Sequence, residues 1–485
     1  MIRQAHHERN PLLTIRPEFV EGLNQRSLKL ISHPMMQSLF LICRLVCTAL
    51  LWLSALILSA SISACAGVPP LPDNAGMGNN PLLPPPTSKL LPTINIAVAK
   101  GWPKNRQPIA AEGLAVNAFF RGLHHPRWLY VLPNGDVLVA ETNAPPKPDD
   151  NTGIRGFVMG IIMKKAGAGV ASANRISLLR DTNGDGIADS RTLLLQGLNS
   201  PFGMVLVGNY LYVVNTDAVM RFPYTEGQTL ISDPGVKIAD LPAGRINHHW
   251  TKNIVASHDG RYLYVSVGSN SNIAENGMDN ELDRAGILEI DIASGRRRVF
   301  ASGLRNPVGM AWQPQSGELW VSVNERDELG NDLVPDYMTS VKAGGFYGWP
   351  YSYFGQHVDA RVKPQRPNLV ATAIKPDYAL GSHTASLGLA FYDANLLPVH
   401  YKNGALIGQH GSWNREVPAG YKVIFIPFEK GRPSGLPEDI LTGFLSEKGE
   451  AYGRPVGVAV DRKGAILVAD DVGNIIWRVS PAARK

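Results

Sequence analysis

The sequence predicts an all-β protein, a six-bladed β-propeller of four-stranded antiparallel blades. The first observation behind this prediction is composition, because the 485 residues include 48 Gly and 36 Pro and only 18% are charged. Such a chain is unlike a helical bundle or a coiled coil and is typical of turn-rich β structure. Its hydrophobic content of 44% supplies a large core, which excludes disorder over most of the length.

The second observation is a sequence pattern, called a phrase below, that recurs six times. The phrases begin roughly 50 to 80 residues apart, and this spacing is long enough for each to form one blade. Each phrase has a short polar step, an apolar strand, a tight turn and a second apolar strand. Turn pairs such as Asn134-Gly135 and Asp259-Gly260 suit a hairpin between the two strands. The phrases are LHHPRWLYVLPNGDVLVAE (123–141), LNSPFGMVLVGNYLYVVN (198–215), INHHWTKNIVASHDGRYLYVSVG (246–268), LRNPVGMAWQPQSGELWVSV (304–323), SHTASLGLAFYDANLLP (382–398) and GRPVGVAVDRKGAILVAD (453–470).

Closure of the six blades into a ring would remove exposed sheet edges. Only one clear strand, residues 474–479, follows the sixth phrase, so the last blade needs an outer strand from elsewhere. Residues 94–99 (INIAVA) are the candidate for this strand. Two stacked β-sandwiches are the alternative fold, which the regular recurrence disfavours.

The N-terminal region has the features of an export signal. Eighteen uncharged, mostly apolar residues (45–62) follow Arg44, and Ile62-Ser63-Ala64-Cys65 resembles the lipobox of bacterial lipoproteins, in which the Cys is lipidated. The alternative is an uncleaved membrane anchor, since the apolar run is long enough to span a bilayer. Both interpretations place the body of the protein outside the cytoplasm. Ala66 rather than Asp follows Cys65, which favours a periplasmic protein anchored by lipid in the outer membrane.

The predicted organisation has four parts. They are a non-native or disordered extension (1–34), a lipoprotein signal peptide (35–64), a Pro-rich tether (65–93) and the propeller (94–485). Cys43, Cys47 and Cys65 all precede the propeller, which therefore has no disulfide and no thiolate metal site. No basic stripe interleaved with aromatic residues is present, so nucleic-acid binding is not expected.

Unusual polar residues occur near the start of the first strand of several phrases. In a propeller this strand lines the central channel, so these side chains should meet at one mouth. A single residue of this kind is most simply a rim side chain bonded to a neighbouring loop. Their shared position instead favours an anion-binding pocket with a candidate base. The residues are Arg127, His248, His249, Arg305, Asn306, His383 and Arg454.

Four motifs carry a more specific resemblance: HHPRWLYVLPNGDVLVAETN (124–143), GLRNPVGMAW (303–312), GGFYGWP (344–350) and GRPVGVAV (453–460). In this order they resemble the glucose/sorbosone dehydrogenase family, and the sorbosone dehydrogenase branch most closely. Members of this family are pyrroloquinoline quinone (PQQ) enzymes on a six-bladed propeller. The likeness runs from about residue 120 to residue 480.

The resemblance implies roles for individual residues. His249 matches the general base, Arg305 and Asn306 match the pair that contacts the quinone, and Arg454 matches the Arg that binds a PQQ carboxylate. A polar contact of the fifth blade falls at His383 and Thr384, and Arg127 is expected to bind the cofactor as well. The chain departs from the family's glucose dehydrogenases at His248, where they carry Asp, and residues 409–415 contain no counterpart of their PQQ-binding Lys.

The residue types agree with this chemistry. PQQ carries three carboxylates and an electrophilic quinone carbonyl, which Arg side chains suit. A neutral His can take the hydroxyl proton while hydride leaves carbon, and Arg305 would stabilise charge on the reduced quinone oxygen. The expected activity is oxidation of an aldose or of a sugar aldehyde such as sorbosone, with a quinone or cytochrome as electron acceptor. A non-catalytic propeller that binds a glycan or protein, and a calcium-dependent propeller hydrolase, remain alternatives.

Two calcium sites are predicted. By position in the family, the carbonyls of Arg326 and Asp327 with Asp332 would hold Ca²⁺ beside PQQ, since oxygen ligands suit this ion. The second site is a loop with the spacing of a calcium-binding loop, although Thr192 stands where an EF-hand has Glu. An acidic hairpin turn is the alternative for this loop. Its predicted ligands are Asp181, Asn183, Asp185, the Ile187 carbonyl and Asp189.

Overall fold

The computed structural model describes residues 41–42, 44–46, 48–49, 71–72, 74–87, 93–146, 160 and 164–483. The chain divides into two units, Met1–Pro69 and Pro70–Lys485. The described residues of the first unit are helical. Among the described residues, no helix has both the length and the apolar character needed to cross a bilayer. Cys65 and most of the predicted signal peptide lie outside the described residues, so export and lipidation stay predictions.

The second unit is a six-bladed β-propeller of antiparallel blades, which confirms the predicted fold. From the innermost strand outwards, the blades are: blade 1, Pro126–Val131, Val137–Glu141, Arg175–Arg180 and Ser190–Leu195; blade 2, Met204–Val207, Tyr210–Val214, Ala218–Pro223 and Val236–Asp240; blade 3, Ile254–Ala256, Tyr262–Val267, Gly286–Asp291 and Arg297–Ser302; blade 4, Pro307–Trp312, Leu319–Val323, Pro335–Ser340 and Tyr378–Ser382; blade 5, Ser386–Phe391, Ala405–Gln409, Lys422–Ile426 and Glu438–Thr442; blade 6, Pro455–Val460, Ile466–Asp470, Ile475–Pro481 and Leu114–Arg121.

The ring closes within blade 6, whose outer strand comes from the other end of the propeller sequence. Leu114–Arg121 pairs antiparallel with Ile475–Pro481 along nearly its full length. The prediction that residues 94–99 supply this strand was wrong, because that segment makes only an isolated bridge from Ala99 to Ala451. Leu114–Arg121 directly precedes blade 1, so a short connection brings it to the edge that blade 6 leaves open.

Two further short strands extend the sheets of blades 4 and 5. Met77–Gly78 pairs with the outer strand of blade 4, and Ile109–Ala110 pairs with that of blade 5. The Thr87 N–H also donates to the Leu329 carbonyl at 2.9 Å. Part of the segment predicted as a free Pro-rich tether (65–93) therefore lies on the propeller, because the outer strand of blade 4 offers it unpaired backbone groups.

The remaining elements are short and lie in loops. They are the two-stranded hairpins Ser352–Tyr353 with His357–Val358 and Phe428–Glu429 with Arg432–Pro433, the helix Pro367–Val370, the 3₁₀ turns Met278–Glu281 and Val399–Tyr401, and the π turn Lys164–Ala168.

The innermost strands of neighbouring blades approach closely around the channel, and glycine permits this approach. A Cβ on Gly309 of blade 4 would lie 2.6 Å from the Leu389 nitrogen of blade 5. A Cβ on Gly457 of blade 6 would lie 2.9 Å from the Arg127 carbonyl oxygen of blade 1. The Pro-x-Gly step of the repeat is thus the point at which one blade packs against the next.

Candidate functional site

A cavity of about 210 Å³ opens between the loops of blades 3, 4 and 5. His249 and Arg305, both predicted from the sequence as catalytic, line this cavity together. The structure thus brings these two side chains to one place. The other lining residues are His248, Ser271, Asn272, Glu275, Asp327, Glu328 and Trp413.

His249 lies ahead of the innermost strand of blade 3, and its ring orientation is fixed. Its Nδ1 donates to the Ser269 carbonyl at 2.7 Å, with the Ser269 hydroxyl 3.1 Å away. Because a carbonyl can only accept, the neutral ring carries its proton on Nδ1 and its lone pair on Nε2. A Cβ on Gly268 would overlap both the His249 Cβ and the Asn306 Oδ1, so glycine allows these two side chains to lie against one strand end.

Arg305 is buried, and the surrounding loops supply acceptors for its guanidinium. It donates to the Glu325 carbonyl at 2.7 Å and to Asn324 Oδ1 at 3.1 Å. It also donates to Asn272 Oδ1 at 3.0 Å, and its Nη2 lies 3.6 Å from Asp327 Oδ2. Asn272 Oδ1 in turn accepts the Asp327 N–H at 2.9 Å. Asn272 therefore joins the loop of blade 3 to Arg305 and Asp327 of blade 4.

Behind Arg305, Asp327 also contacts His383. His383 Nδ1 lies 3.1 Å from Asp327 Oδ1, and Nε2 donates to the Gly330 carbonyl at 2.8 Å. Burial alone would lower the pKa of His383, but the Asp327 carboxylate and the Gly330 carbonyl outweigh burial and raise it. Arg305 and His383 thus approach the Asp327 carboxylate from two sides and hold it in place.

His383 and Thr384 do not line the cavity of His249 and Arg305. His383 lies behind Asp327, and the Thr384 hydroxyl donates to Asp336 Oδ2 at 3.0 Å. Thr384 borders a separate groove of about 620 Å³ between blades 4 and 5. The structure gives both residues other partners, and their predicted contact with a cofactor stays a prediction.

Arg127 belongs to a second group of side chains, which we call the Asp471 cluster: Asp471, Arg127, His125 and His410. Asp471 accepts from Arg127 Nη1 at 2.6 Å and contacts His410 Nε2 at 2.8 Å, with His125 Nε2 at 3.7 Å. Burial would raise the pKa of Asp471, but His410, His125 and Arg127 hold it well below its usual range. Burial lowers the pKa of His410 to about 4, against the attraction of Asp471. Burial also lowers the pKa of His125. The cluster therefore joins a carboxylate and an Arg to two imidazoles whose charged form burial disfavours.

Arg454 is buried nearby, between blades 5 and 6. Its Nη2 donates to the Ala97 carbonyl at 3.0 Å, and its guanidinium lies 5.0 Å from the Tyr421 ring centroid. Within the described part of the chain, three buried polar atoms of the predicted cofactor residues have no hydrogen-bond partner. They are Arg127 Nε, Arg454 Nε and Asn306 Oδ1.

The two groups adjoin one another. The Arg127 guanidinium lies 6.0 Å from the ring of Trp250, the residue that follows His249. Residues 409–415 connect the groups along the chain, since His410 contacts Asp471 and Trp413 lines the cavity. This segment therefore does bring side chains to the site, although sequence comparison found no Lys in it.

Two of the three donors predicted for calcium beside the cofactor already have cationic partners. The Asp327 carbonyl accepts from Arg361 at 3.0 Å, and Asp332 Oδ1 accepts from Arg415 at 2.9 Å. The Arg326 side chain is buried between Glu325 and Asp359. Across the described ranges, no three His, Cys, Asp or Glu side chains form a group that could hold a metal ion. Calcium beside the cofactor stays a prediction.

The second predicted calcium loop forms many hydrogen bonds within itself. Asp181 accepts the Gly184 N–H at 2.7 Å, and Asp189 accepts the Thr182 N–H at 2.6 Å. The ammonium of Lys463, from blade 6, donates to the Gly184 carbonyl and lies 3.9 Å from Asp181 Oδ2. The remaining predicted ligands, Asn183, Asp185 and Ile187, form turns in the same loop. Calcium here also stays a prediction.

Sequence reasoning missed His125, Asn272, His410, Trp413 and Asp471. A signal for two of them existed, since His410 and Asp471 each directly follow the second strand of a blade. In an antiparallel pair, the end of the second strand lies beside the start of the first. His125 precedes Pro126 just as Asn306 and Arg454 precede Pro307 and Pro455. Arg127 is therefore within its strand, two positions later than Asn306 and Arg454, with which the predicted alignment grouped it.

Comparison with known proteins gives a consistent result. A family model described as TrAA12-like matches residues 108–341 and 365–482. An uncharacterized protein of Borreliella burgdorferi is 34% identical over 297 residues, which cover 58% of this chain and 76% of that protein. An aldose sugar dehydrogenase of Escherichia coli is 24% identical over 192 residues, 36% of this chain and 50% of the relative. A PQQ-dependent pyranose dehydrogenase of Coprinopsis cinerea is 27% identical over 226 residues, 37% of this chain and 30% of the relative.

Solved structures share the fold. The holo form of the pyranose dehydrogenase PQQ domain from Coprinopsis cinerea aligns with a TM-score of 0.63 at 19% identity, over 80% of this chain and 100% of that one. The calcium structure of a Trichoderma reesei carbohydrate-active enzyme of family AA12 aligns with a TM-score of 0.63 at 18% identity, over 80% of this chain and 99% of that one.

Proposed function

The chain belongs to the TrAA12-like family, and we propose that it oxidises a sugar with PQQ as the hydride acceptor. The names of its relatives support sugar oxidation in general. The observation that carries the proposal is the shared cavity of His249 and Arg305, in which an oriented imidazole faces the same space as a buried guanidinium. The imidazole can remove a hydroxyl proton, and the guanidinium can stabilise a neighbouring group that gains negative charge.

The residues present fit the chemistry of PQQ, a flat molecule with three carboxylates. Trp413 offers a flat aromatic face in the cavity wall. Arg127 and Arg454 each keep one buried N–H without a hydrogen-bond partner among the described residues, and an anionic ligand could use these donors. Arg305, Asn306, Arg127 and Arg454 would hold the cofactor. When bound, PQQ supplies the electrophilic carbonyl that accepts hydride.

The protein's own contribution is proton removal and charge. The Ser269 carbonyl holds the Nδ1 proton of His249, so Nε2 is the nitrogen that can accept the hydroxyl proton of the sugar. Arg305 provides a fixed positive charge whose position depends on Asn324, Glu325 and Asn272. Because protein groups supply all of these contacts, the guanidinium requires little reorganisation during the reaction.

The finer parts of the proposal follow the resemblance stated above. The substrate would be an aldose or a sugar aldehyde such as sorbosone, and the electrons would pass to a quinone or a cytochrome. No step is assigned to calcium, because Arg361 and Arg415 already bind the donors predicted for it.

Cofactor uptake tests the proposal. The purified chain, mixed with PQQ with and without Ca²⁺, should show a shifted quinone spectrum and sugar-dependent dye reduction across a panel of aldoses, aldehydes and polyols. Absence of binding at micromolar PQQ would contradict it. Binding of PQQ without oxidation of any sugar or aldehyde in the panel would contradict the proposed activity.

We further propose an exported, lipid-anchored protein, because the lipobox ends in Cys65. Cys65→Ser should abolish lipidation and change processing of the N-terminus. The measurement is detergent partitioning with mass spectrometry of the mature chain. A wild-type protein that carries no lipid and stays wholly in the aqueous phase would refute the anchor.

A further inference from the structure

A second cavity lies beside the candidate site, on the other face of one loop of blade 3. It encloses about 780 Å³, a size typical of small-molecule pockets. Asn270 lines this cavity, whereas the next two residues, Ser271 and Asn272, line the cavity of His249. A single stretch of backbone thus separates the two spaces.

The wall of the second cavity has an excess of positive charge. Its charged lining residues are two arginines, Arg245 and Arg284, and one carboxylate, Asp279. Arg284 is buried, and its three hydrogen bonds go to uncharged acceptors: the Ala243 carbonyl at 2.7 Å, Asn247 Oδ1 at 3.1 Å and the Gly268 carbonyl at 3.2 Å. No carboxylate among the described residues makes an ion pair with it.

The closest compensating carboxylate has other partners. Glu281 attracts Arg284 only through space, because its two oxygens accept the Asn270 N–H at 2.8 Å and the Ser271 hydroxyl. Burial lowers the pKa of Arg284 to about 10, so this guanidinium is charged at neutral pH. A buried charge is costly unless an opposite charge meets it. The arrangement therefore favours an anion supplied from solution.

A second basic side chain lies beneath this wall. Lys252 is completely buried, and its ammonium has only Asn247 Oδ1 at 3.5 Å and the Trp250 carbonyl at 3.4 Å as acceptors within the described residues. Asn247 Oδ1 therefore serves both Lys252 and Arg284. Burial and the nearby Arg284 lower the pKa of Lys252 well below its usual range. An anion in the cavity would favour positive charge on both groups.

The rest of the lining suits a polyhydroxylated ligand. Three amide side chains, Asn270, Asn276 and Asn280, line the same cavity. Asn270 is buried, and its Oδ1 has no hydrogen-bond partner in the described part of the chain, although its other polar atoms are all bonded. A ligand hydroxyl could donate to this oxygen.

We propose that this second cavity binds an anionic sugar, whose carboxylate or phosphate meets Arg245 and Arg284 and whose hydroxyls meet the three asparagines. The choice of a sugar rests on the proposed function, since the cavity shares a wall with the candidate oxidation site. The expected preference for anionic over neutral sugars rests only on Arg245 and Arg284. The site would thus select charged sugars, or charged units of a longer chain that reaches the first cavity.

Binding is measured on the full purified chain without PQQ, by isothermal titration at low salt. The ligands are methyl β-glucuronide, methyl β-glucoside 6-phosphate and neutral methyl β-glucoside, none of which has a free anomeric hydroxyl to oxidise. We expect both anionic sugars to bind about fivefold or more tightly than the neutral one, with the stronger of the two identifying the natural charged group. Because no oxidation is involved, the result is independent of whether the chain uses PQQ.

Variants test the assigned residues. Arg245 is exposed, so Arg245→Gln should fold normally and lose most of the preference for charge, whereas Asp279→Asn should strengthen it. Arg296→Gln, an exposed Arg on the blade 3 hairpin outside the cavity, is the matched control and should bind like wild type. Equal affinity for charged and neutral sugars, a preference that survives Arg245→Gln, or inorganic phosphate binding as tightly as the sugars would each overturn the proposal.

Discussion

The loops of blades 3 and 4 and those of blades 6 and 1 each bring an Arg against the residue that follows a second strand, but the partners differ. Arg305 ends among uncharged acceptors, with Asp327 at 3.6 Å, and lines a cavity. Arg127 donates directly to the buried carboxylate of Asp471 at 2.6 Å. The residue after the second strand differs, Asn324 in blade 4 and Asp471 in blade 6. Arg305 therefore meets an amide of its own blade and lines a cavity, whereas Arg127 of blade 1 meets a carboxylate that blade 6 supplies.

The largest expected effect is a loss of catalytic rate, and it should follow a substitution in the cavity of His249 rather than in the Asp471 cluster. His249→Ala should lower the rate of PQQ reduction by a bound sugar about a hundredfold to ten-thousandfold, because it removes the group that accepts the proton. PQQ affinity should change only a few-fold. Single-turnover reduction of bound PQQ is the measurement.

Two variants accompany His249→Ala. His400→Ala, an exposed His outside both groups, serves as the control and should match wild type. A His249→Ala protein with the wild-type rate, or a His248→Ala protein that alone fails, would refute the assignment of the base.

The next effect concerns stability and should be larger in the Asp471 cluster. Asp471→Asn leaves Arg127 buried without its anion, and we expect a loss of about 3 to 5 kcal/mol in the free energy of unfolding. Asp327→Asn should cost only about 1 kcal/mol, because Arg305 keeps its carbonyl and amide acceptors. Urea denaturation followed by tryptophan fluorescence compares the two. Equal losses in the free energy of unfolding for the two variants would contradict the difference described between the Asp471 cluster and the cavity.

The pH dependence of stability should have opposite signs in the two regions. The pKa of His410 is lowered to about 4 by burial, whereas an unfolded His titrates near about 6.5, so stability falls as pH drops between these values. Asp327 and Gly330 raise the pKa of His383 against the effect of burial. Its contribution to the free energy of unfolding is therefore full below about pH 6.5, the unfolded pKa, and is lost as the pH rises through its pKa in the folded protein.

Gln variants isolate the two contributions. His410→Gln should reduce the loss of stability in acid, and His383→Gln should reduce the loss in alkali. Urea midpoints from about pH 4 to about pH 9 measure both. Identical pH profiles for wild type and either variant would show that the substituted His does not titrate on unfolding.

The smallest effect concerns Asn272, which belongs only to the cavity. Asn272→Ala removes one acceptor from Arg305 and one from the Asp327 N–H. We expect PQQ binding to weaken about tenfold with little change in the rate of reduction of bound PQQ. Asn209→Ala, at an exposed Asn on the hairpin of blade 2 outside both cavities, is the control. Loss of reduction rate with unchanged PQQ affinity would contradict a positioning role.

The parts of the fold and site that could be predicted share one property, recurrence. The Pro-x-Gly steps located the innermost strands because Gly309 and Gly457 each sit where neighbouring backbones approach. Arg305 was found because it stands two residues before such a step, and His249 because it occupies the corresponding part of its own phrase. Leu114–Arg121 was missed because its partner, Ile475–Pro481, is more than three hundred residues away and no phrase marks it. Asp471 was missed because its role depends on Arg127, a contact between the two ends of the ring.

The closing strand has a consequence for how the protein is made. Leu114–Arg121 leaves the ribosome before any blade, but its partner Ile475–Pro481 is synthesised last. Pairing across so long a separation is slow, and until it forms the ring is open and blade 6 lacks its outer strand. A chain in this state is most exposed to proteases and aggregation. Loss of the final strand by a late stop codon would leave every other blade encoded and the ring permanently open.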